Sequence, residues 1–157
     1  MIPEVKELID RFDHLGYVVE EELATVLKLM LDLQKPILLE GPPGVGKTEA
    51  AKIIAAHKGT ELIRLQCYEG LDINNAVYEW NYQKQLLSIK IDEQSDLTSA
   101  QKEEHIFGKE FLLERPLLKA ITSDHQTVLL IDEIDRADEE FEAFLLELLS
   151  DFQMSIP

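Results

Sequence analysis

Residues 41–48 read Gly41-Pro42-Pro43-Gly44-Val45-Gly46-Lys47-Thr48, and this stretch satisfies the pattern G-x-x-x-x-G-K-[ST]. Glycines at these spacings let the backbone turn tightly and point its N–H groups at phosphate oxygens. The side chain of Lys47 would reach the β- and γ-phosphates, and the hydroxyl of Thr48 would take one Mg²⁺ coordination position. Glu49, the next residue, completes the candidate binding set. The alternative is a glycine-rich turn that binds no ligand, but the full pattern predicts a nucleotide-binding loop.

The sequence on either side of this loop supplies the strand and the helix that the pattern requires. Residues 37–39 (ILL) form a short apolar run between a proline and a glycine, and the run predicts a buried strand. Residues 49–58 are rich in alanine and isoleucine, which favours a helix. Gly59 suits the end of that helix because glycine readily adopts the left-handed conformation found there.

A second apolar run, residues 128–131 (VLLI), is followed directly by Asp132 and Glu133. In an open α/β sheet, ligands bind outside the carboxyl ends of the strands, where the loop at 41–48 is also expected. Asp132 would hold Mg²⁺ through water, and Glu133 would orient and polarise the attacking water. The adjacent glutamate favours hydrolysis over transfer of phosphate to a small acceptor, because kinases must keep water from reacting. Lys47 and Glu133 are therefore the candidate catalytic residues, with ATP and Mg²⁺ as cofactors.

Helical periodicity recurs along the rest of the chain. Residues 4–13, residues 23–31 and residues 141–152 each place apolar side chains at the spacing of one helix face. A further short helix is predicted from Pro116, and a strand over residues 61–67, whereas residues 68–108 have no clear pattern and are predicted to be irregular. Strands that alternate with helices predict an α/β fold, here a P-loop NTPase with three α/β/α layers and a mostly parallel sheet.

The composition excludes several classes of protein. The chain has 31 acidic residues against 15 Lys and Arg, a net charge of −16, and such a surface repels nucleic acid. No long apolar stretch and no basic, apolar leader are present, so we expect neither membrane insertion nor secretion. Cys67 has no second cysteine to pair with and is predicted to be a packed thiol, and the 4 histidines lack metal-ligand spacing. These features favour a cytoplasmic protein.

The segments GPPGVGKT and LLIDEID together resemble the AAA+ superfamily. The remaining residues resemble its MoxR branch, in particular the CoxD-like group, most clearly over LIRLQCYEGLDINNAVYEWNYQKQLL, FLLERPLLKAI and DEIDRADEEFEAFLLELLSDFQ. The resemblance implies a hexameric ring that binds ATP between subunits and remodels a partner protein or assists the maturation of a metal centre. It also implies that the partner is a metalloenzyme or a von Willebrand A-domain protein, and it places Tyr17 and Val18 beside the adenine.

Two features within this resemblance allow more than one interpretation. Tyr78, Trp80 and Tyr82 would either grip a partner protein or pack within the fold. Arg136 would either act across a subunit boundary or form an ordinary surface ion pair.

By the same resemblance, residues 1–157 correspond to the N-terminal part of an AAA+ nucleotide-binding domain, an incomplete AAA+ core. The later strands, the arginine finger and the helical lid are not recognisable, nor is the strand that would lie between residues 37–39 and residues 128–131. We therefore expect these residues alone to hydrolyse ATP very slowly or not at all. The alternative function is a nucleotide-dependent binding module without turnover.

Overall fold

The computed structural model describes residues 2–92 and 98–151. The described chain consists of helices interspersed with short strands, with 3₁₀ turns at Lys109–Phe111 and Ile134–Arg136. In chain order the elements are α1 (Pro3–His14), α2 (Glu21–Leu33), α3 (Lys47–Lys58), β1 (Leu62–Gln66), α4 (Ile73–Val77), β2 (Tyr78–Trp80), α5 (Tyr82–Asp92), α6 (Ser99–Ile106), β3 (Leu112–Glu114), α7 (Pro116–Thr122), β4 (Val128–Asp132) and α8 (Glu139–Asp151).

Strands β1 and β4 pair in parallel and form the centre of the fold. Their register sets Leu62 opposite Val128 and Gln66 opposite Asp132, so both strands end at the same edge. Helix α3 packs on one face of the pair, whereas α7 contacts both strands from the other face. Helices on both faces of a parallel sheet define the three-layer α/β arrangement, which confirms the predicted fold class.

The N-terminal helices build one of the two hydrophobic clusters. Side chains at helical spacing on α1, among them Val5, Leu8 and Phe12, are buried against α2 and α3, together with Leu27. Phe12 makes edge-to-face contacts with both Tyr17 and His57, and its ring thereby joins α1 to α3. The predicted helices over residues 4–13, 23–31 and 49–58 are confirmed, since an amphipathic stripe is stable once a core covers it.

The second cluster lies on the opposite face of the β1–β4 pair. Its largest members come from α7, α8 and the end of β1: Leu65, Cys67, Leu117, Phe141, Leu145 and Leu148. Phe141, Leu145 and Leu148 of the predicted apolar stripe are thus confirmed as core, and Phe152 lies outside the described residues. The predicted helix at Pro116 and the strands over residues 61–67 and 128–131 are confirmed as well.

The prediction of a buried strand at residues 37–39 is wrong. Within the described residues this run forms no ladder with β1 or β4, and the side chain of Leu38 is 69% exposed. Ile37 still packs against the N-terminal cluster. An apolar run becomes a strand only when a neighbouring strand accepts its backbone hydrogen bonds, and among the described residues no strand pairs with residues 37–39.

The prediction that residues 68–108 are irregular is also wrong over much of that range. It contains α4, β2, α5 and α6, and β2 pairs antiparallel with β3 in a small separate sheet. Helix α5 leaves Leu86, Leu87 and Ile91 exposed, so it has no continuous buried stripe that periodicity could detect. Gln85 in this helix is buried, with 7% of its surface exposed. Its side-chain amide donates a hydrogen bond to the backbone carbonyl of Ile106 at 2.7 Å, which joins α5 to α6.

Candidate nucleotide site

The loop at residues 41–48 has the backbone geometry of a phosphate cradle. Three of its glycines adopt positive φ angles: 151° at Gly41, 84° at Gly44 and 89° at Gly46. Gly46 is also the N-cap of α3, so the unpaired N–H groups of the first helical turn face the loop. A residue with a Cβ would be strained at these angles, and the helix N-terminus favours bound anions.

The side chain of Lys47 is folded back onto its own loop. Its Nζ atom donates hydrogen bonds to the carbonyl oxygens of Gly41 at 2.6 Å and Pro42 at 2.8 Å. Residues 41–45, including Pro43 and Val45, are exposed to solvent. An ammonium group can exchange two carbonyl oxygens for two phosphate oxygens without losing its hydrogen bonds, which is what a phosphate-binding lysine requires.

Thr48 and Asp132 meet although 84 residues separate them in sequence. The Thr48 hydroxyl, in the first turn of α3, lies 3.4 Å from Oδ2 of Asp132, the last residue of β4. Oδ1 of Asp132 accepts a hydrogen bond from the backbone N–H of Glu133 at 3.1 Å. The loop and the acidic strand end therefore face one another at the carboxyl edge of the sheet, as the sequence predicts.

Arg64 is a member of this site that the sequence analysis missed. Its guanidinium donates to Oδ2 of Asp132 at 2.6 Å, from β1 to the end of β4. Gln66 stands opposite Asp132, and Arg64 lies two residues before Gln66, so its side chain is on the same face of the sheet. The signal in the sequence was a charged residue within an otherwise apolar strand. In the structure its neighbours Ile63 and Leu65 are buried.

Glu133 has an unusual backbone and an unusual carboxylate. Its φ and ψ angles are 55° and 43°, in the left-handed region that residues with a Cβ rarely adopt. Its Oε2 atom lies 3.1 Å from Nε of Arg136, close enough for an ion pair, but the geometry does not give a hydrogen bond. This buried oxygen consequently has a charged neighbour and no directed bond within the described residues.

Of the two residues expected beside the adenine, only Tyr17 lies against the loop. A Cβ built on Gly46 would lie 3.9 Å from the Cε2 and Oη atoms of Tyr17. Burial raises the pKa of the Tyr17 phenol, and the negative charge of Glu49 raises it further. Val18 is 86% exposed. Glu49 itself is exposed and forms an ion pair with Lys52 at 2.9 Å.

Comparison with known proteins identifies the family. Residues 36–157 match the family model described as AAA domain (dynein-related subfamily). The chain belongs to this AAA family. It is 30% identical over 121 residues to an uncharacterized protein of Staphylococcus haemolyticus, covering 77% of this chain and 38% of the relative. It is 32% identical over 113 residues to an uncharacterized protein of Staphylococcus aureus (strain bovine RF122), covering 72% of this chain and 35% of the relative.

The chain thus spans little more than a third of the length of these relatives. No solved structure matches it. AAA domains bind nucleotide, usually with Mg²⁺, and are associated with ATPase activity. The chain is therefore a nucleotide-binding member of the P-loop NTPases. No helix within residues 2–92 and 98–151 is long and apolar enough to cross a membrane.

The oxygen donors at this site of the AAA domain are of the kind that binds a magnesium ion. Thr48 and Asp132 bring a hydroxyl and a carboxylate oxygen together, and oxygen donors of this kind suit Mg²⁺. Among the described residues, no group of histidine, cysteine and carboxylate side chains is arranged to hold a metal by itself. A metal here would accordingly share its coordination with water and phosphate oxygens, as Mg²⁺ does in nucleotide sites.

Two other chemically notable side chains adjoin the candidate site. Cys67 is fully buried, and burial raises the pKa of its thiol, with Asp132, Asp135 and Glu133 adding to the effect. This confirms the prediction of a packed thiol. Arg136, which the sequence left open, forms its ion pair with Glu133 within the chain.

Proposed function

We propose that this AAA domain belongs to the MoxR branch, in its CoxD-like group, and hydrolyses ATP within a hexameric ring. The ring would remodel a partner protein, or assist the maturation of a metal centre, in the cytoplasm. The observation that carries the proposal is the approach of the Thr48 hydroxyl to the Asp132 carboxylate at 3.4 Å. A P-loop threonine and a strand-end aspartate need this proximity to share one magnesium ion.

In this proposal each side chain of the site has one role. Lys47 releases the carbonyls of Gly41 and Pro42 and binds the β- and γ-phosphates. Thr48 and Asp132 would hold Mg²⁺, which when bound neutralises charge on the transferred phosphoryl group. Glu133 orients the attacking water and polarises it, because it follows Asp132 directly at the edge of the sheet.

A second candidate function is a nucleotide-dependent binding module that does not turn over. The observation that favours it is the ion pair between Glu133 and Arg136 at 3.1 Å, which occupies the carboxylate that hydrolysis requires. The two functions differ in what the whole protein does. ATP hydrolysis and ring formation by the full-length chain support remodelling, whereas nucleotide binding with neither of them supports the binding module.

The partner protein would contact the segment around β2, and the structure narrows which aromatic side chains are free to do so. Tyr78 packs on the second hydrophobic cluster, and Trp80 makes an edge-to-face contact with Phe107 at 5.3 Å. Tyr82 is 65% exposed at the start of α5. We therefore assign the gripping role to Tyr82, with a metalloenzyme or a von Willebrand A-domain protein as the proposed partner.

The test is a calorimetric titration of Mg·ATP into the chain and into its Lys47→Ala variant. Losing two charge-assisted hydrogen bonds to phosphate should weaken binding at least about tenfold, because each is worth roughly 1.5–3 kcal/mol. Lys52→Ala is the matched control: it removes a lysine of the same helix that pairs with Glu49 and does not touch the loop carbonyls. Equal binding by Lys47→Ala and the unmodified chain, or no binding by the latter, would contradict the proposal.

A further inference from the structure

Both oxygens of the Asp132 carboxylate have hydrogen-bond partners within the chain. Oδ1 accepts from the backbone N–H of Glu133 at 3.1 Å. Oδ2 faces two groups at once, the guanidinium of Arg64 at 2.6 Å and the hydroxyl of Thr48 at 3.4 Å. The shorter contact is the one to a cation, so the oxygen that faces Thr48 already has a positive charge beside it.

The contact between Arg64 and Asp132 follows from the pairing of β1 with β4. Arg64 projects from β1 on the face that carries Asp132, and the parallel register fixes the two strands relative to one another. The side chain of Asp132 is 21% exposed and that of Arg64 is 49% exposed. The guanidinium therefore reaches the carboxylate from the solvent side and can swing away without moving the backbone.

We infer that Arg64 occupies the cation position of Asp132 in the nucleotide-free chain and that a divalent metal ion must displace it. The inference rests on the proposed function for the role of Asp132 as the metal carboxylate. The guanidinium beside Oδ2 repels a divalent cation that approaches the same oxygen, because like charges repel at that separation. Arg64 in this sense competes with the metal ion: it pairs with the carboxylate that would hold the ion and lowers the affinity of the site for metal.

The direction of the effect follows from this competition. Removing the charge at position 64 frees Oδ2 and should tighten metal binding, even though it removes an ion pair from the fold. A purely structural role predicts the opposite, since loosening the junction of β1 and β4 would weaken the site. Because Arg64 is half exposed, we expect a gain of about two- to fivefold in metal affinity.

The experiment is a double-mutant cycle on Mn²⁺ binding by the nucleotide-free chain, followed by electron paramagnetic resonance of the free ion. The four proteins are the unmodified chain, Arg64→Met, Asp132→Asn and the double variant. Weak binding to the acidic surface, with its net charge of −16, is common to all four and cancels in the cycle. Lys119→Met is the matched control, because it breaks a comparable ion pair with Glu61 just before β1.

The expected result is coupling between positions 64 and 132. Arg64→Met should bind Mn²⁺ more tightly than the unmodified chain, Asp132→Asn should bind it more weakly, and the gain from Arg64→Met should be absent when Asp132 is also replaced. Arg64→Lys, which keeps the charge, should show no gain. An additive cycle, or weaker binding by Arg64→Met, would overturn the inference. Failure of the unmodified chain to bind Mg·ATP would instead contradict the proposed function, so the two failures are distinguishable.

Discussion

Replacing Glu133 by glycine should stabilise the folded chain, although Glu133 is the proposed catalytic residue. At φ 55° and ψ 43° its backbone lies in the left-handed region, which costs a residue with a Cβ about 1–2 kcal/mol. Glycine adopts these angles without that penalty, but it gains freedom in the unfolded chain worth about 0.5–1 kcal/mol. The net backbone effect is a gain of up to about 1.5 kcal/mol.

The side chain of Glu133 changes this figure little. Its buried Oε2 atom has no directed hydrogen bond, so deleting it removes an unfavourable desolvation. The deletion also removes the ion pair with Arg136, whose side chain is 60% exposed, and such a pair is worth about 0–1 kcal/mol. These two terms oppose one another. For a chain of this size, the backbone gain corresponds to a rise of up to about 6 °C in Tm.

The assay is urea unfolding of the unmodified chain and the Glu133→Gly variant, followed by circular dichroism. Gln34→Gly is the matched control, because Gln34 ends α2 at φ 52° and shares the left-handed backbone without the acidic site. Both variants should unfold at higher urea. A gain for Gln34→Gly with a loss for Glu133→Gly would refute the reasoning about Glu133, since its contacts would then outweigh the strain.

Two further predictions follow from buried titratable groups. Because burial and then Glu49 raise the pKa of Tyr17, an alkaline absorbance titration should lose a phenol that ionises above its ordinary range in Tyr17→Phe, and Glu49→Gln should shift that phenol to lower pH. The folded chain holds this proton more tightly than the unfolded chain, so the stability that Tyr17 contributes is present below about pH 10 and falls as the pH rises further. An unchanged titration curve in Tyr17→Phe would contradict this assignment. Cys67, fully buried and with a raised thiol pKa, should not react with a thiol reagent at pH 8 in the native chain and should react once denaturant unfolds it. Rapid reaction of the native chain would show that the second cluster opens.

The elements that the sequence predicted correctly are those whose local pattern and tertiary environment agree. The stripe Val5, Leu8 and Phe12 predicts a helix because the same residues are buried in it. The loop at 41–48 is predictable because its glycines are required by backbone angles that no tertiary contact can replace. In both cases the information is local, so a single sequence contains it.

The features that the sequence did not predict depend on distant partners. Whether residues 37–39 form a strand depends on which neighbour accepts their backbone hydrogen bonds, and composition does not specify that neighbour. Arg64 joins the site because the β1–β4 register brings it to Asp132, 68 residues later. A pairing register between strands so far apart cannot be read from the pattern of one sequence. The left-handed backbone of Glu133 is likewise imposed by its surroundings, since its residue type disfavours it.

The parallel pairing of β1 with β4 also bears on how the chain folds. About sixty residues, including α4–α7, lie between the two strands, so their pairing closes a long loop. Loop-closure entropy grows only with the logarithm of length, at about 0.6 kcal/mol for each doubling. The first formation of this sheet is expected to be slow, because the pairing joins strands that are distant in the sequence. Once formed, it should be nearly indifferent to moderate insertions or deletions between α5 and α6, so relatives can vary in length there without disturbing the meeting of loop and strand end.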